Sequence, residues 1–215
     1  DQVQNRLSRL QANYCICSAF CSNSSEIAAL ENDLFPYGLE ANITKTVTSD
    51  LMQESAQSLL QLVGAKGYKL NHFAGRSVVD SRPFQIFEGS NDILYHQIAD
   101  AVLKQMKTHK INNLHNYLKL QIPDAADRVK HLTDFDLDLK ITQRKLVKFG
   151  QLISRIYTMN FVIKLAEIGF NQNLISNTLT LLTQDISTYL NSFHFDNQNK
   201  VIADYEENSN WYSLI

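Results

Sequence analysis

The sequence predicts an all-α fold, an antiparallel bundle of helices followed by a helical extension. Glycine and proline account for only seven and three of the 215 residues, whereas average proteins contain about 7% and about 5%. A β-sandwich or barrel needs frequent turn residues, which this chain lacks. Apolar residues instead recur every three or four positions, the spacing of an amphipathic helix. With 44% hydrophobic residues the chain can bury a sizeable core.

The first two helices follow from this apolar spacing. One apolar stripe covers residues 3–21, where the polar residues 21–25 predict an interruption and residues 26–34 a separate helical piece. Pro36 predicts the first turn of a second long helix, because proline fits the first helical position. Gly64 predicts the end of that helix, since glycine commonly follows the last helical residue.

The rest of the chain divides into one loop and several helices. Residues 65–89 predict a long ordered loop with one short helix, and loops of this length inside a compact domain are usually functional. Ser90 predicts the N-cap of a helix that runs to about residue 107. Further helices are predicted over residues 111–122, 124–132, 138–168 and, capped by Asn171 or Asn173, up to residue 193, before a polar tail over residues 195–215 that docks loosely or frays.

Charge and hydropathy exclude several function classes. The formal net charge is −2, with 22 acidic and 20 basic residues, so we expect no nucleic-acid partner. No apolar run approaches about 18 residues, which argues against a transmembrane helix. No signal peptide is visible. We expect a cytoplasmic protein, or a protein of the mitochondrial matrix if the source is eukaryotic.

The three cysteines lie within seven positions of one another, at Cys15, Cys17 and Cys21. An odd number so close together is not a disulfide framework and indicates a reducing compartment. Their spacing allows metal binding, but no histidine lies near them in the sequence. Core packing is therefore the favoured interpretation, and no metal site is predicted.

Residues 61–68 read Gln-Leu-Val-Gly-Ala-Lys-Gly-Tyr and are the first candidate site segment. Two glycines three positions apart, at the end of a helix, let the backbone turn tightly and approach a ligand. Taken alone, the segment is better explained by a helix end followed by an ordinary turn.

Residues 82–92 are the second candidate site segment. Glu88 precedes Gly89 and the capping Ser90 at the start of a helix. One interpretation is a carboxylate stabilised by the helix dipole next to a good N-cap. The functional interpretation is a carboxylate held on a rigid turn and directed at a bound molecule, to which the helix N-terminus donates N–H groups.

Together the two segments resemble the C-terminal helical domain of the acyl-CoA dehydrogenase family. Family members carry a Gln-x-x-Gly-Gly-x-Gly-[Phe/Tyr] turn, then Arg-Asp, then Ile-[Tyr/Phe]-Glu-Gly-Thr at the start of a helix. This chain has the same order and spacing in residues 61–68, in Val79-Asp80 and in residues 86–90. The resemblance covers residues 37–107.

The resemblance implies an FAD-dependent enzyme that oxidises the Cα–Cβ bond of an acyl-CoA thioester to a trans-2-enoyl-CoA. Glu88 corresponds to the base that removes the α-proton, while the β-hydrogen passes to FAD. A carboxylate shielded from water has a raised pKa that suits this step, and a polarised thioester carbonyl acidifies the α-proton. Gly89 would lie against the thioester. The implied FAD contacts are Ser90, Asn91 and Asp92 and, from a neighbouring subunit of a dimer or tetramer, Gln61, Leu62, Val63, Gly64 and Ala65.

Two residues depart from the family pattern. Ala65 replaces the second glycine and adds a methyl group where the backbone should approach the cofactor, and Val79 replaces the arginine. Ser90 in place of threonine keeps the hydroxyl group. An alternative therefore stays open: a non-catalytic helical module, kept for dimerisation or docking after the cofactor contacts were lost.

The remaining part of the chain predicts an extension and a longer protein. We expect a bundle domain over residues 1–110 and an extension over residues 111–215, in which residues 141–159 resemble the extension of very-long-chain acyl-CoA dehydrogenases. Because complete members carry two further domains that bind most of the FAD, and this chain starts with Asp1 in a helical pattern, we expect a fragment that binds FAD poorly and is inactive alone.

The extension has a basic side, which predicts either a solvated helix face or peripheral contact with anionic lipid. This side comprises Lys140, Arg144, Lys145, Lys148 and Arg155.

Overall fold

The computed structural model describes residues 1–29, 31–69 and 71–195, so the predicted loose tail lies outside the described residues except for Phe195. The described residues form the α-helices α1 (Gln2–Ile27), α2 (Gly38–Val63), α3 (Phe73–Ser81), α4 (Asn91–His109), α5 (Leu114–Gln121), α6 (Pro123–Arg128), α7 (Lys130–Thr133), α8 (Gln143–Glu167) and α9 (Gln172–His194). Over the same ranges no strand occurs, apart from one isolated bridge. The predicted all-α fold is confirmed.

Helix α1 is continuous to Ile27, so the predicted interruption at residues 21–25 and the separate helix over residues 26–34 are wrong. Polar side chains weaken a helix when they bond to the backbone in non-helical conformations. Here the Ser25 hydroxyl donates instead to the carbonyl of Ser22 within the helix, at 2.8 Å. The serines therefore stay in the last turn of the helix.

Helix α2 has the end that the sequence predicts and a slightly later start. Pro36 lies in a short 3₁₀ turn, Phe35–Tyr37, and α2 begins at Gly38. Gly64 follows the last helical residue with a φ of 70°, a conformation that favours glycine.

The predicted loop over residues 65–89 is ordered and contains the short helix α3. A 3₁₀ turn lies on either side of this helix, at Gly64–Tyr68 and at Arg82–Gln85. Gly75 allows α3 to pack tightly on the first turn, because a Cβ atom there would lie 2.4 Å from the carbonyl oxygen of Gly67. The loop therefore forms a compact layer on α2.

Helix α8 lies at the centre of the core. Every side chain from Phe149 to Val162 is buried except the half-buried Gln151, and α8 packs against α1, α4, α6 and α9. The hydrophobic core is thus continuous across residue 110. The division into two domains at that residue stays a prediction.

The contact between α4 and α8 is unusually close. A Cβ atom on Gly150 would lie 2.0 Å from the carbonyl oxygen of Tyr95, so glycine alone fits between the two backbones. Ser154 and Thr158 follow on the same face of α8. Both are buried, and each donates its hydroxyl to the carbonyl four residues earlier, at 2.7 Å. Small residues with satisfied polar groups therefore permit the close approach.

Candidate functional site

The turn before α4 holds Glu88 in an unusual backbone conformation. The φ of Glu88 is 56° and that of Gly89 is 92°. Among the described non-glycine residues, Lys110 alone shares a positive φ, and it is the left-handed residue that ends α4. Left-handed backbone costs a residue with a side chain about 1–2 kcal/mol, so the surrounding structure must hold Glu88 in place.

Two side chains hold this turn from the inner side. The Lys45 ammonium of α2 donates to the Gly89 carbonyl oxygen and to Asn91 Oδ1, each at 2.8 Å. Asn91 is buried and donates its amide to the Ser49 hydroxyl oxygen at 2.9 Å. Hydrogen bonds from a charged donor are stronger than neutral ones. The backbone next to Glu88 is therefore fixed, while the Glu88 side chain itself is exposed.

Asp50 organises the buried side of the same turn. Its carboxylate accepts hydrogen bonds from Asn91 at 2.6 Å, from Gln85 at 2.7 Å and from the Tyr95 hydroxyl at 2.7 Å. These bonds join α2, α4 and the 3₁₀ turn that precedes Glu88. Burial and the neighbouring Asp50 raise the pKa of Tyr95, so its hydroxyl remains a donor.

The sequence analysis missed Lys45 and Asp50 as site residues. A weak signal is present in the sequence. Lys45 and Ser49 are four positions apart, with Asp50 next to them, and they lie between the apolar residues of a predicted buried helix. Polar side chains in such positions need partners from another element, but the sequence alone does not identify that element.

A groove of about 930 Å³ runs between α1 and α2 and reaches the Glu88 turn. Lys45 and Glu88 are the charged residues of its described lining. Most of its wall is apolar, as in sites that bind small organic molecules. The large apolar side chains in the wall are Leu10, Tyr14, Phe20, Leu51, Met52, Phe84 and Phe87.

The three cysteines of α1 have different environments. Cys15 is buried in the core, as predicted. Cys17 and Cys21 instead line the groove, so core packing is wrong for these two residues. Burial and the nearby Cys21 raise the pKa of the Cys17 thiol. Within the described ranges, no three side chains of metal-ligating type form a group.

The predicted cofactor turn lies toward the other end of α2. Gln61, Gly64 and Ala65 are exposed, whereas Leu62 and Val63 are half-buried; all five are in or next to the turn. Gln61 lies sixteen positions after Lys45 on α2, and Lys45 is the residue that binds Gly89. At a rise of about 1.5 Å per residue the two segments are about 24 Å apart. One chain therefore does not bring them together.

The start of α4 offers hydrogen-bond donors to a ligand. Ser90 is the N-cap residue, but its hydroxyl makes no capping hydrogen bond, and the first N–H groups of a helix have no partner within it. The exposed carboxylate of Asp92 beside them disfavours an anion. These donors therefore suit a neutral acceptor group better than an anionic one. The Asn91 side chain is buried against α2, which leaves only its backbone N–H for a ligand.

One residue of the predicted basic side is buried and does not belong to the accessible surface. Arg155 is buried, with 3% of its surface exposed, because it points toward α9, where Asp185 lies 3.8 Å from its Nε atom. The other four basic residues, Lys140, Arg144, Lys145 and Lys148, are exposed or half-buried. In the described part of the chain, none of the helices combines the length and apolar character needed to cross a bilayer.

Comparison with known proteins identifies the domain that contains both candidate segments. Residues 1–103 match the family model described as acyl-CoA dehydrogenase, C-terminal domain. The long-chain specific acyl-CoA dehydrogenase of mitochondria from Sus scrofa is 30% identical to this chain, and that from Rattus norvegicus is 29% identical, both over 104 residues. The aligned part is 47% of this chain but only 23% of each relative. Residues 1–103 therefore form an acyl-CoA dehydrogenase C-terminal domain.

Proposed function

We propose that this chain is the C-terminal part of an FAD-dependent acyl-CoA dehydrogenase in which Glu88 is the catalytic base. The observation that carries the proposal is the positive-φ turn that presents the Glu88 carboxylate at the edge of an apolar groove. Strained backbone of this kind is concentrated at functional sites. The names of the relatives support acyl-CoA as the substrate class.

In the proposed reaction, the Glu88 carboxylate takes the α-proton of the acyl thioester and becomes a neutral acid. The groove binds the acyl chain and excludes water, which makes the carboxylate a stronger base. Lys45 and Asn91 hold the backbone of the turn, so that the carboxylate is oriented before the substrate binds. Gly89 lies against the thioester. FAD, when bound, supplies the acceptor for the hydride that leaves the β-carbon.

The proposed FAD contacts come from two separate surfaces. Within one chain they are Ser90, Asp92 and the first backbone N–H groups of α4, including that of Asn91. The turn of the neighbouring subunit contributes Gln61, Leu62, Val63, Gly64 and Ala65. Because the two surfaces lie about 24 Å apart along α2, each chain presents only one edge of a site to a given FAD. The proposal therefore includes a homo-oligomer.

We expect the chain by itself to bind FAD poorly and to lack turnover. Purified chain mixed with FAD and then passed through a desalting column should lose the visible flavin absorption. A chain that keeps a stoichiometric yellow cofactor would show that these residues suffice for FAD binding, and this part of the proposal would be wrong.

Replacement of the base tests the catalytic role directly. In the full-length enzyme, Glu88→Gln keeps the size of the side chain and removes its basicity, so dehydrogenation of acyl-CoA should fall by about 10²–10⁴-fold. Glu167→Gln is the matched control, since Glu167 is exposed at the end of α8 and does not line the groove. Equal activity of both variants and the parent would exclude Glu88 as the base.

The alternative is a non-catalytic docking module, and one observation favours it. Phe84, Ile86 and Phe87, next to Glu88, are 58%, 51% and 67% exposed, and clustered exposed apolar side chains mark contact surfaces. An enzyme that contacts a cofactor and a further domain at this turn also needs such a surface. Unchanged biological function of the Glu88→Gln protein would support the docking module.

Thiol alkylation tests the groove without measuring activity. Cys21 is exposed and lines the groove, whereas Cys15 is buried. A long-chain acyl-CoA should slow alkylation of Cys21 if its acyl chain occupies the groove, and coenzyme A without an acyl chain is the control. Equal alkylation rates in the two ligands would place the acyl chain elsewhere.

The proposed setting follows from the relatives and the composition. The relatives are named as mitochondrial proteins, which supports the mitochondrial matrix as the location in a eukaryote. The exposed lysines and arginine near the start of α8 leave peripheral contact with an anionic membrane as a proposal. The near balance of acidic and basic residues gives no support to nucleic-acid binding.

A further inference from the structure

A polar cavity of about 400 Å³ lies between α1 and α2 and reaches the predicted cofactor turn. Every side chain of its described lining is polar, in contrast to the mostly apolar groove toward the start of α2. Arg6 and Arg9 line the cavity from α1, and Glu54, Gln57 and Gln61 line it from α2. Because Gln61 is also the first residue of the cofactor turn, the cavity and the turn form one surface.

The two arginines of this cavity differ in the charges around them. Arg9 donates to both oxygens of Glu54, at 2.7 and 3.2 Å, and to both oxygens of Asp185, at 3.0 and 2.9 Å. The charge of Arg9 is therefore compensated within the chain. Arg6 lies one turn earlier on α1 and is half-buried, and it makes no hydrogen bond or ion pair with any described residue. The positive charge of Arg6 is thus available to a ligand in the cavity.

The rest of the lining suits a phosphate group. A guanidinium group presents a planar set of donors that matches phosphate oxygens, and amide side chains add further N–H donors. The amide side chains of the lining are those of Gln2, Asn5, Gln57 and Gln61. Glu54, the carboxylate of the described lining, is already held by Arg9. The cavity therefore fits an anionic ligand rather than an apolar one.

The anionic part of FAD is its pyrophosphate, and the start of α4 does not suit it. The exposed Asp92 disfavours an anion there, so the pyrophosphate needs a positive charge from another surface. We propose that Arg6 binds the pyrophosphate of the same FAD that the turn beginning at Gln61 contacts in a neighbouring subunit. The inference rests on the proposed function. It assigns to α1 a cofactor contact that residues 61–65 do not supply, because none of them is charged.

FAD binding by the full-length enzyme tests this proposal. Arg6→Gln removes the charge and keeps a polar side chain, so the dissociation constant of FAD should rise about tenfold through the loss of a charge-assisted hydrogen bond. Arg6→Lys retains the charge and should keep most of the affinity. The affinity of the parent should also fall more steeply with added NaCl than that of Arg6→Gln, because salt screens an attraction that only the parent retains. Flavin fluorescence titration of the FAD-free enzyme measures these constants without turnover.

Arg128→Gln is the matched control, since Arg128 is exposed on α6 and does not line the cavity. Weaker FAD binding with a flatter salt dependence in Arg6→Gln alone, and rescue by lysine, support the proposal. Equal FAD affinity in Arg6→Gln and the parent would overturn it and leave the proposed function intact, because the parent still binds FAD. Weaker binding with an unchanged salt dependence, or an equal loss in Arg128→Gln, would also overturn it. A full-length enzyme that neither binds FAD nor dehydrogenates acyl-CoA would instead overturn the proposed function, and this inference with it.

Discussion

The Glu88 turn and the middle of α8 place similar residues in opposite environments. Phe84 and Phe87 next to the turn are 58% and 67% exposed, whereas Phe149 of α8 is fully buried. Charged residues show the same contrast: Glu88 is exposed, whereas Arg155 is buried. The turn thus keeps its apolar groups and its carboxylate accessible, while α8 buries both apolar and charged groups.

This difference separates stability from binding within one small bundle. Burial of apolar side chains in α8 provides much of the free energy of folding. The turn instead exposes apolar surface and holds a non-glycine residue at a positive φ, and both features lower stability unless a partner or ligand compensates. We therefore expect substitutions in α8 to unfold the chain and substitutions in the turn to change binding and catalysis.

The largest expected effect comes from a matched pair of phenylalanines. Phe149→Ala should lower the free energy of unfolding by about 3–5 kcal/mol, because it leaves a cavity in the core. Phe87→Ala should change it by about 0.5 kcal/mol or less, since the ring is already exposed. Denaturant titration of both variants measures the difference. Similar losses would mean that the turn also stabilises the bundle.

A pair of glycines tests the close contact between α4 and α8. Gly150→Ala should cost about 1–3 kcal/mol, because the new methyl group would meet the backbone of Tyr95 and force the two helices apart. Gly38→Ala is the control, since Gly38 has a helical conformation and open space around its Cα atom. It should raise stability by about 0.4–1 kcal/mol. If the Gly150→Ala chain were as stable as the parent, the contact would be adjustable.

Local chemistry explains which elements the sequence predicted correctly. Gly64 ends α2 with a positive φ, and Asn171 caps α9 by accepting hydrogen bonds from two backbone N–H groups. Both signals act within a few residues, so these helix ends can be recognised in the sequence without knowledge of the tertiary structure. The break predicted at residues 21–25 is wrong: the Ser25 hydroxyl donates to the backbone of its own helix, an outcome that composition does not reveal.

The sequence predicted the site residue that belongs to a local motif, but not the residues that helix packing brings to the site. Glu88 stood out through the sequence around it, whereas Lys45 and Asp50 became site residues only because α2 packs on α4 about forty positions later in the chain. The burial of Arg155 likewise depends on the helices around α8. A lysine- and arginine-rich stretch by itself indicates a solvated face.

The strain at Glu88 predicts a gain in stability when the residue is changed. Glu88→Gly should raise the free energy of unfolding by about 1 kcal/mol, because glycine adopts a positive φ without the steric cost of a Cβ atom. Glu88→Ala removes the same carboxylate but keeps the Cβ atom, so it should give no such gain. Thermal or denaturant unfolding compares the two. Equal gains would assign the effect to the lost charge rather than to the backbone.

The smallest expected effect concerns the ion pair between Arg9 and Glu54, on the outer side of α1 and α2. Burial raises the pKa of Glu54, but the hydrogen bond and charge of Arg9, 2.7 Å away, lower it by more. The pKa of Glu54 therefore lies below its ordinary value of 4.5. A group with a lowered pKa in the folded state stabilises the protein above its unfolded pKa, and this contribution is lost as the pH falls through the folded value. Stability of the parent should therefore decline more steeply below about pH 4.5 than that of Glu54→Gln, by about 0.5 kcal/mol or less, because the Glu54 side chain is 41% exposed. Equal acid slopes in urea titrations would mean that Arg9 is held by Asp185 alone and that its ion pair with Glu54 adds no measurable stability.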